Sequence, residues 1–406
     1  MYDVFGNGKT ALKVNAGKYL QGASVSNLGS GANPALRIPG AAGAAFFAPS
    51  TTRTWADANG NFNPDCNLSS PAANGECGPI DVQNFGSNQQ VGAQFDPAGL
   101  SGWGIRPSDW SYGVSVQQQI AARASVEAGY YRRTFTMYST GGTVNDNLAI
   151  APGDVKTYSF TAPLDPRLPG GGGYQVAGLY NVNPNVFGQT NGLIKPTSSV
   201  GNDTRVFNGV DVTFNVRATH GFTFSGGTST GKVVNDFCAV SAVVPENYLL
   251  NPYCHVESPF QTSFRALSTY MVPRIGVVLS GVYQDKTNVG TDQLGSLAAN
   301  YTLTPADVAA VAAQLGRPMT GAAPTINLIA PGVVYGDRIR QLDISMKKIV
   351  HIYGRRLTAG LDIYNVMNNN VTLAFNQTYA PASTGWLAPT SYMNPRVFRL
   401  NAEFAW

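Results

Sequence analysis

Arg396-Val397-Phe398-Arg399-Leu400-Asn401-Ala402-Glu403-Phe404-Ala405-Trp406 closes the 406-residue sequence. As a strand, it puts Phe398, Leu400, Ala402, Phe404 and Trp406 on one face. Arg399, Asn401 and Glu403 fall on the other, because successive side chains point to opposite sides. One wall is wholly apolar and the other is charged. A half-buried strand of a soluble sandwich has that pattern. So does a strand crossing a bilayer in a barrel, with hydrocarbon outside and a polar lumen inside. Ending flush on an aromatic, with no polar tail, favours the second.

Working back from this stretch, the same alternation recurs in pairs. Thr10–Leu20 sets Leu12, Val14 and Ala16 against Lys13 and Asn15. Trp110–Ile120 sets Trp110, Tyr112, Val114 and Val116 against Gln117 and Gln119, and Ser125–Phe135 sets Val126, Ala128 and Tyr130 against Glu127. Val206–Val216 is the clearest, with Val210, Val212, Phe214 and Val216 opposite Asp211, Thr213 and Asn215. Phe222–Thr230, Phe264–Val272, Ile275–Asp285, Ile339–Ile349 and Leu357–Tyr364 precede the terminal strand. These ten segments have the nine to eleven residues or so needed to cross a bilayer at a tilt.

Their connections alternate in size. Short turns follow positions 120, 217, 272 and 350, while long loops fill about 21–109, 136–204, 233–262, 286–337 and 366–395. Loops beyond about 15 residues are uncommon in compact soluble domains. Short turns on one rim and long loops on the other are the layout of an outer-membrane barrel, and they make the terminal strand a descending one. One helix is expected within the loops. Thr304 is its cap, Pro305 its first residue, Val308–Leu315 its body and Gly316 its stop.

Composition agrees. Charged residues are 12%, about half of the usual 25% or so. No apolar run approaches the roughly 18 residues of a spanning helix. A net charge of +4 over the whole chain is too diffuse to indicate nucleic acid. The four cysteines form two local pairs, Cys66 with Cys77 and Cys238 with Cys254, without CxxC spacing. Two loop-stapling disulfides fit an oxidising compartment better than free thiols do. No signal peptide follows Met1, so the chain is either not exported or the C-terminal part of something longer.

With the strand order in hand, the sequence resembles the C-terminal portion of a TonB-dependent outer-membrane receptor. It is most similar to the Oar-like group, whose members carry a carboxypeptidase-regulatory-like domain. The likeness is carried by Asp3-Val4-Phe5-Gly6-Asn7-Gly8-Lys9-Thr10, Trp55-Ala56-Asp57-Ala58-Asn59-Gly60-Asn61, and Gly336-Asp337-Arg338 before Gln341-Leu342-Asp343. It continues through Leu361-Asp362-Ile363-Tyr364-Asn365-Val366-Met367-Asn368 to Asn394-Pro395-Arg396. The resemblance implies a 22-stranded barrel around an N-terminal plug. Residues 1–406 then supply about ten strands, without plug, TonB box or signal peptide. It also implies energy-coupled uptake across the outer membrane, with lipid, plug and TonB as partners. The apolar face of Phe398, Leu400, Phe404 and Trp406 becomes the signal read by the barrel-assembly machinery. The alternative is a structural or adhesive surface protein, either a small barrel or a sandwich.

No motif argues for an enzyme. Gly227-Thr228-Ser229-Thr230-Gly231 matches the nucleophile-elbow pattern, with Asp236 and His255 following in hydrolase order, but an elbow needs a strand, a sharp turn and a helix. Gly6-Asn7-Gly8-Lys9-Thr10 lacks the first glycine of a phosphate loop, with Asp3 in its place, and precedes a strand. Asp57, Asn59, Asn61, Asn63 and Asp65 form an oxygen-rich run before Cys66. Calcium is the secondary reading there, through Asp57, Asn59, Asn61 and Asp65. A polar loop pinned by Cys66–Cys77 is preferred, because no glutamate closes the site. His220, His255 and His351 are scattered and form no zinc or catalytic set. The expected lumen face comprises Lys13, Asn15, Gln117, Glu127, Asp211, Asn215, Asp343, Lys347 and Asp362.

Overall fold

A computed structural model describes residues 1–20, 51–80, 93–99, 102, 103, 105–138, 141–218, 221–288 and 294–405. All ten expected strands are present: β1 (Thr10–Leu20), β2 (Ser108–Ala121), β3 (Ala124–Thr136), β4 (Thr204–Arg217), β5 (Phe222–Asp236), β6 (Gln261–Val272), β7 (Val277–Lys286), β8 (Ile339–Ile352), β9 (Arg355–Tyr364) and β10 (Val397–Ala405). Each pairs antiparallel with its sequence neighbour, giving one meander from β1 to β10. Several run longer than the alternation indicated, because ladder pairing continues past the last apolar position. β4 and β5, for example, stay in register from Thr204↔Asp236 to Arg217↔Thr223.

The start of β7 differs in the other direction. Ile275 lies in the turn before β7, because Arg274 (φ 69°) and Gly276 (φ 61°) take left-handed conformations that a strand cannot accommodate. The β8–β9 hairpin turns on Tyr353 (φ 49°) and Gly354 (φ 76°). Two central residues at positive φ match the twist of the strands they join. A two-residue strand, Tyr2–Asp3, lies along β1, and among the described residues β10 pairs only with β9. The ten strands therefore form an open sheet rather than a closed ring.

Burial is inverted relative to a soluble domain. The buried apolar side chains among the described residues all lie outside the ten strands, whereas the strands expose theirs: Val14 is 67% exposed and Leu400 83%. Ladder register lines these residues into rows, such as Leu12–Val116–Ala128–Val212 and Val14–Val114–Tyr130–Val210. Farther along the sheet runs the row Met346–Leu361–Leu400. The result is a continuous apolar wall. Soluble monomers usually expose apolar patches of only a few hundred Å², and covering such a wall with hydrocarbon yields about 25 cal/mol per Å². No described helix is long and apolar enough to cross a membrane. A trough of about 1120 Å³ opens on the opposite wall, lined by Ala11, Gln117, Gln119, Ser125, Asn215 and Ser225 among others. The polar wall is thus the concave one.

The core sits in the long loops. Tyr158, Phe160 and Leu179 come from the β3–β4 loop. Tyr301, Val311, Leu315, Ile326 and Leu328 come from the β7–β8 loop, and Tyr379 and Trp386 from the β9–β10 loop. They pack as one cluster. A second cluster joins Val144 and Val200 to Val240 and Val244, the latter two borne by or adjoining the short helix α1 (Cys238–Val243). The expected helix is α2 (Pro305–Leu315). Thr304 accepts from Asp307 N, the Asp307 carboxylate reciprocates, and Gly316 stops the helix at φ 68°. Val311 and Leu315 are its buried residues. We refer to this folded assembly of loops as the cap.

Candidate functional site: the polar wall and the cap

All nine side chains expected on the lumen face share the concave wall, as the ladder registers require. They are tied into networks. Lys13 Nζ lies 2.8 Å from Glu127 Oε2, and Ser115 Oγ donates to Glu127 Oε1 at 2.7 Å. Arg133 grips Asp109 through two bonds of 2.6 and 3.1 Å. Near the other edge, Asp362 accepts from Ser345 (2.6 Å), Arg399 Nε (3.2 Å) and Asn401 (2.9 Å). Gln284, Gln341, Asp343 and the backbone of Asn365 form a chain with links of 2.8 to 3.0 Å. Charged hydrogen bonds of this kind fix side chains facing water without requiring a dry core.

Glycines shape the same wall. A Cβ on Gly113 or Gly129 would come within 3.0 Å or less of the Tyr131 ring or its hydroxyl, and one on Gly209 or Gly231 would strike Phe207 at 2.5 to 2.6 Å. Both rings lie flat on glycine floors. The sequence holds a local signal for this arrangement. Gly129 and Tyr131, like Phe207 and Gly209, are two apart and so share a face.

The cap is held by arginine clamps. Arg167 donates to Asp165, with bonds as short as 2.6 Å, and to the carbonyls of Ala380 (3.3 Å), Pro381 (3.0 Å) and Ser383 (2.6 Å). Its guanidinium lies 5.5 Å from the Tyr379 ring, whose hydroxyl donates to Asp165 at 2.8 Å. The Arg167 bond holds the Asp165 carboxyl well below the usual carboxylate range, with help from Tyr379. Burial, reinforced by that carboxylate, pushes the Tyr379 phenol up to about 12. Arg317, just after α2, donates to Asn181, Val182 and Asn183. Both disulfides are formed, Cys66–Cys77 and Cys238–Cys254.

In the first loop, Asp57 accepts from the backbone of Gly60 (2.8 Å), Asn61 and Phe62. Asp65 accepts from the side-chain amides of Asn59 (2.5 Å) and Asn61 (2.8 Å). These carboxylates serve the loop's own donors. Among the described residues, no group of three His, Cys, Asp or Glu side chains is arranged to hold a metal. Ser229 sits in mid-strand opposite Asp211 and Ser263. Asp236 and His255 do meet, at 2.9 Å, but seven residues along the strand from Ser229, roughly 23 Å away. The three cannot act as a triad. Asp3 accepts from Gly8 N at 2.7 Å, so the glycine-rich start is a turn closed by its own carboxylate. His351 lies at the turn end of β8; His220 lies outside the described residues. Phe398, Leu400 and Phe404 are exposed on the apolar wall, and Trp406 lies outside the described residues.

No protein-family model and no curated protein matches the chain. Among solved structures it is similar to the outer membrane transporter YddB from Escherichia coli, at 10% identity and TM-score 0.45, over 99% of this chain and 39% of that one. It is also similar to the ferric-catecholate import receptor Fiu from E. coli K12, at 11% identity and TM-score 0.34, over 75% of this chain and 29% of that one. The chain thus spans well under half the length of either transporter.

Proposed function

We propose that the chain is a ten-stranded part of an outer-membrane β-barrel that takes up a solute with energy supplied through TonB. The observation that carries this reading is the inverted burial. The strands expose a continuous apolar wall while the hydrophobic core sits in the loops. Lipid is the medium that makes such a wall favourable, and a barrel is the form in which strands can enter it with every backbone group paired. The polar concave wall then lines the lumen, the cap stands on the extracellular side, and the short turns face the periplasm. The resemblance to Oar-like receptors supplies the plug and TonB as partners from outside this segment. It also supplies the barrel-assembly machinery as reader of β10. A surface protein without transport is the second reading, favoured by the cap having a core of its own.

An epitope inserted at Gly170–Gly171, in an exposed turn of the cap, tests the location. In intact cells it should bind antibody, and the protein should fractionate with the outer membrane and migrate differently on gels with and without heating. A soluble periplasmic or cytoplasmic product would defeat the proposal. Loss of solute uptake on removing TonB separates transport from display.

A further inference from the structure

We infer that the long-loop end of the polar wall holds a binding subsite for an anionic ligand with a flat aromatic body, and that Arg205 receives its carboxylate. A cleft of about 370 Å³ opens there, lined by four rings (Tyr131, Phe135, Tyr138, Phe207) and by three arginines, of which Arg133 and Arg205 lie on the polar wall while Arg132 belongs to the opposite face and donates to Asn208. Ladder register puts Tyr131, Arg133, Phe135, Arg205 and Phe207 on the same face of β3 and β4. The cleft is the size of a small-molecule pocket. The glycines beneath Tyr131 and Phe207 let these rings lie flat and present their faces.

Rings and cations alternate along one side. Arg133 lies 4.4 Å from the Phe135 centroid, Phe135 and Tyr138 meet edge-on at 6.1 Å, and Arg205 lies 4.5 Å from the Tyr138 centroid. The two arginines differ in charge balance. Arg133 is neutralised by Asp109. Arg205 forms no ion pair with a carboxylate of the described residues, and it donates from Nη1 to the Tyr138 hydroxyl. Its Nε–Nη2 edge stays available as a two-pronged donor, a geometry that matches a carboxylate. Tyr138 holds the guanidinium in place, so little side-chain freedom is lost on binding. Aromatic faces beside this edge favour a ring over an aliphatic acid.

As a solute subsite this rests on the transport reading, but binding can be measured apart from cell location. The full chain in zwitterionic micelles is titrated with 2-naphthoate and with the neutral 2-naphthalenemethanol. The acid should bind saturably and at least tenfold more tightly than the alcohol, with affinity falling as salt rises. Arg205→Gln should lose at least tenfold for the acid and nothing for the alcohol, and Arg205→Lys should recover part of the loss. Equal affinity for acid and alcohol, or an unchanged R205Q, would overturn the inference. The acid–alcohol comparison needs no variant and stands even if R205Q fails to fold. Absence of saturable acid binding would also overturn it, leaving the cleft to a protein segment packed in the lumen.

Discussion

Arg167 and Ser383 are 216 positions apart, yet one guanidinium bond joins them. Through Arg167 the β3–β4 loop reads the backbone of the β9–β10 loop, and Asp165 and Tyr379 hold the guanidinium flat for that task. The clamp has a pH signature. Asp165 in the folded cap titrates below its unfolded value of about 3.9, so on acidification the unfolded chain takes up its proton first. The stabilisation is complete above about pH 5 and drains away as pH falls through 4 and below. Protection factors of cap amides, with the intrinsic pH dependence of exchange divided out, should therefore fall between pH 4 and pH 2. Asp165→Asn should start with weaker protection at neutral pH and show no such extra loss. None of this was legible beforehand, because Arg167 lies in a Gly/Pro-rich loop and nothing local indicates which carbonyls it will meet.

At the scale of a strand, period-two alternation was the decisive signal, and the two walls respond differently to one charge. Val212 lies on the apolar wall, in mid-β4, and Thr213 faces the lumen beside it. Val212→Lys places an ammonium in hydrocarbon and should cost about 2–4 kcal/mol, whereas Thr213→Lys should cost less than about 1 kcal/mol. Denaturant titration of both variants in lipid vesicles measures the difference. Equal effects would mean that both walls see the same medium. Helix α2 was equally readable, since Thr304, Pro305, Asp307 and Gly316 are local signals that act on neighbouring backbone. The short loop strands were not. Asn300–Thr302 and Thr325–Asn327 are three residues each, too short for any periodicity to register. Their stability comes from Tyr301 and Ile326 entering a core assembled from distant loops.

Across the whole molecule, the open edges matter most. β10 is paired on one side by β9 and on the other by no described strand. In a bilayer each such unpaired group costs several kcal/mol, a cost that pairing with a further strand removes. For the 406-residue chain in micelles, alternate β10 amides should exchange at least about tenfold faster than those bonded to β9. Equal protection of both sets would indicate closure by this chain alone. The sequence by itself determined the ten strands, their two-faced character, the alternation of turn and loop, the capped helix and both cysteine pairs. All of these depend on interactions between near neighbours or on a repeat that each residue displays alone. Only the tertiary structure decided that the loops fold into a cap with its own core, that the sheet stays open, and that two arginines and four rings converge at one end of the polar wall. Those outcomes depend on contacts between segments up to about two hundred residues apart, and no local pattern specifies which distant partner a side chain will reach.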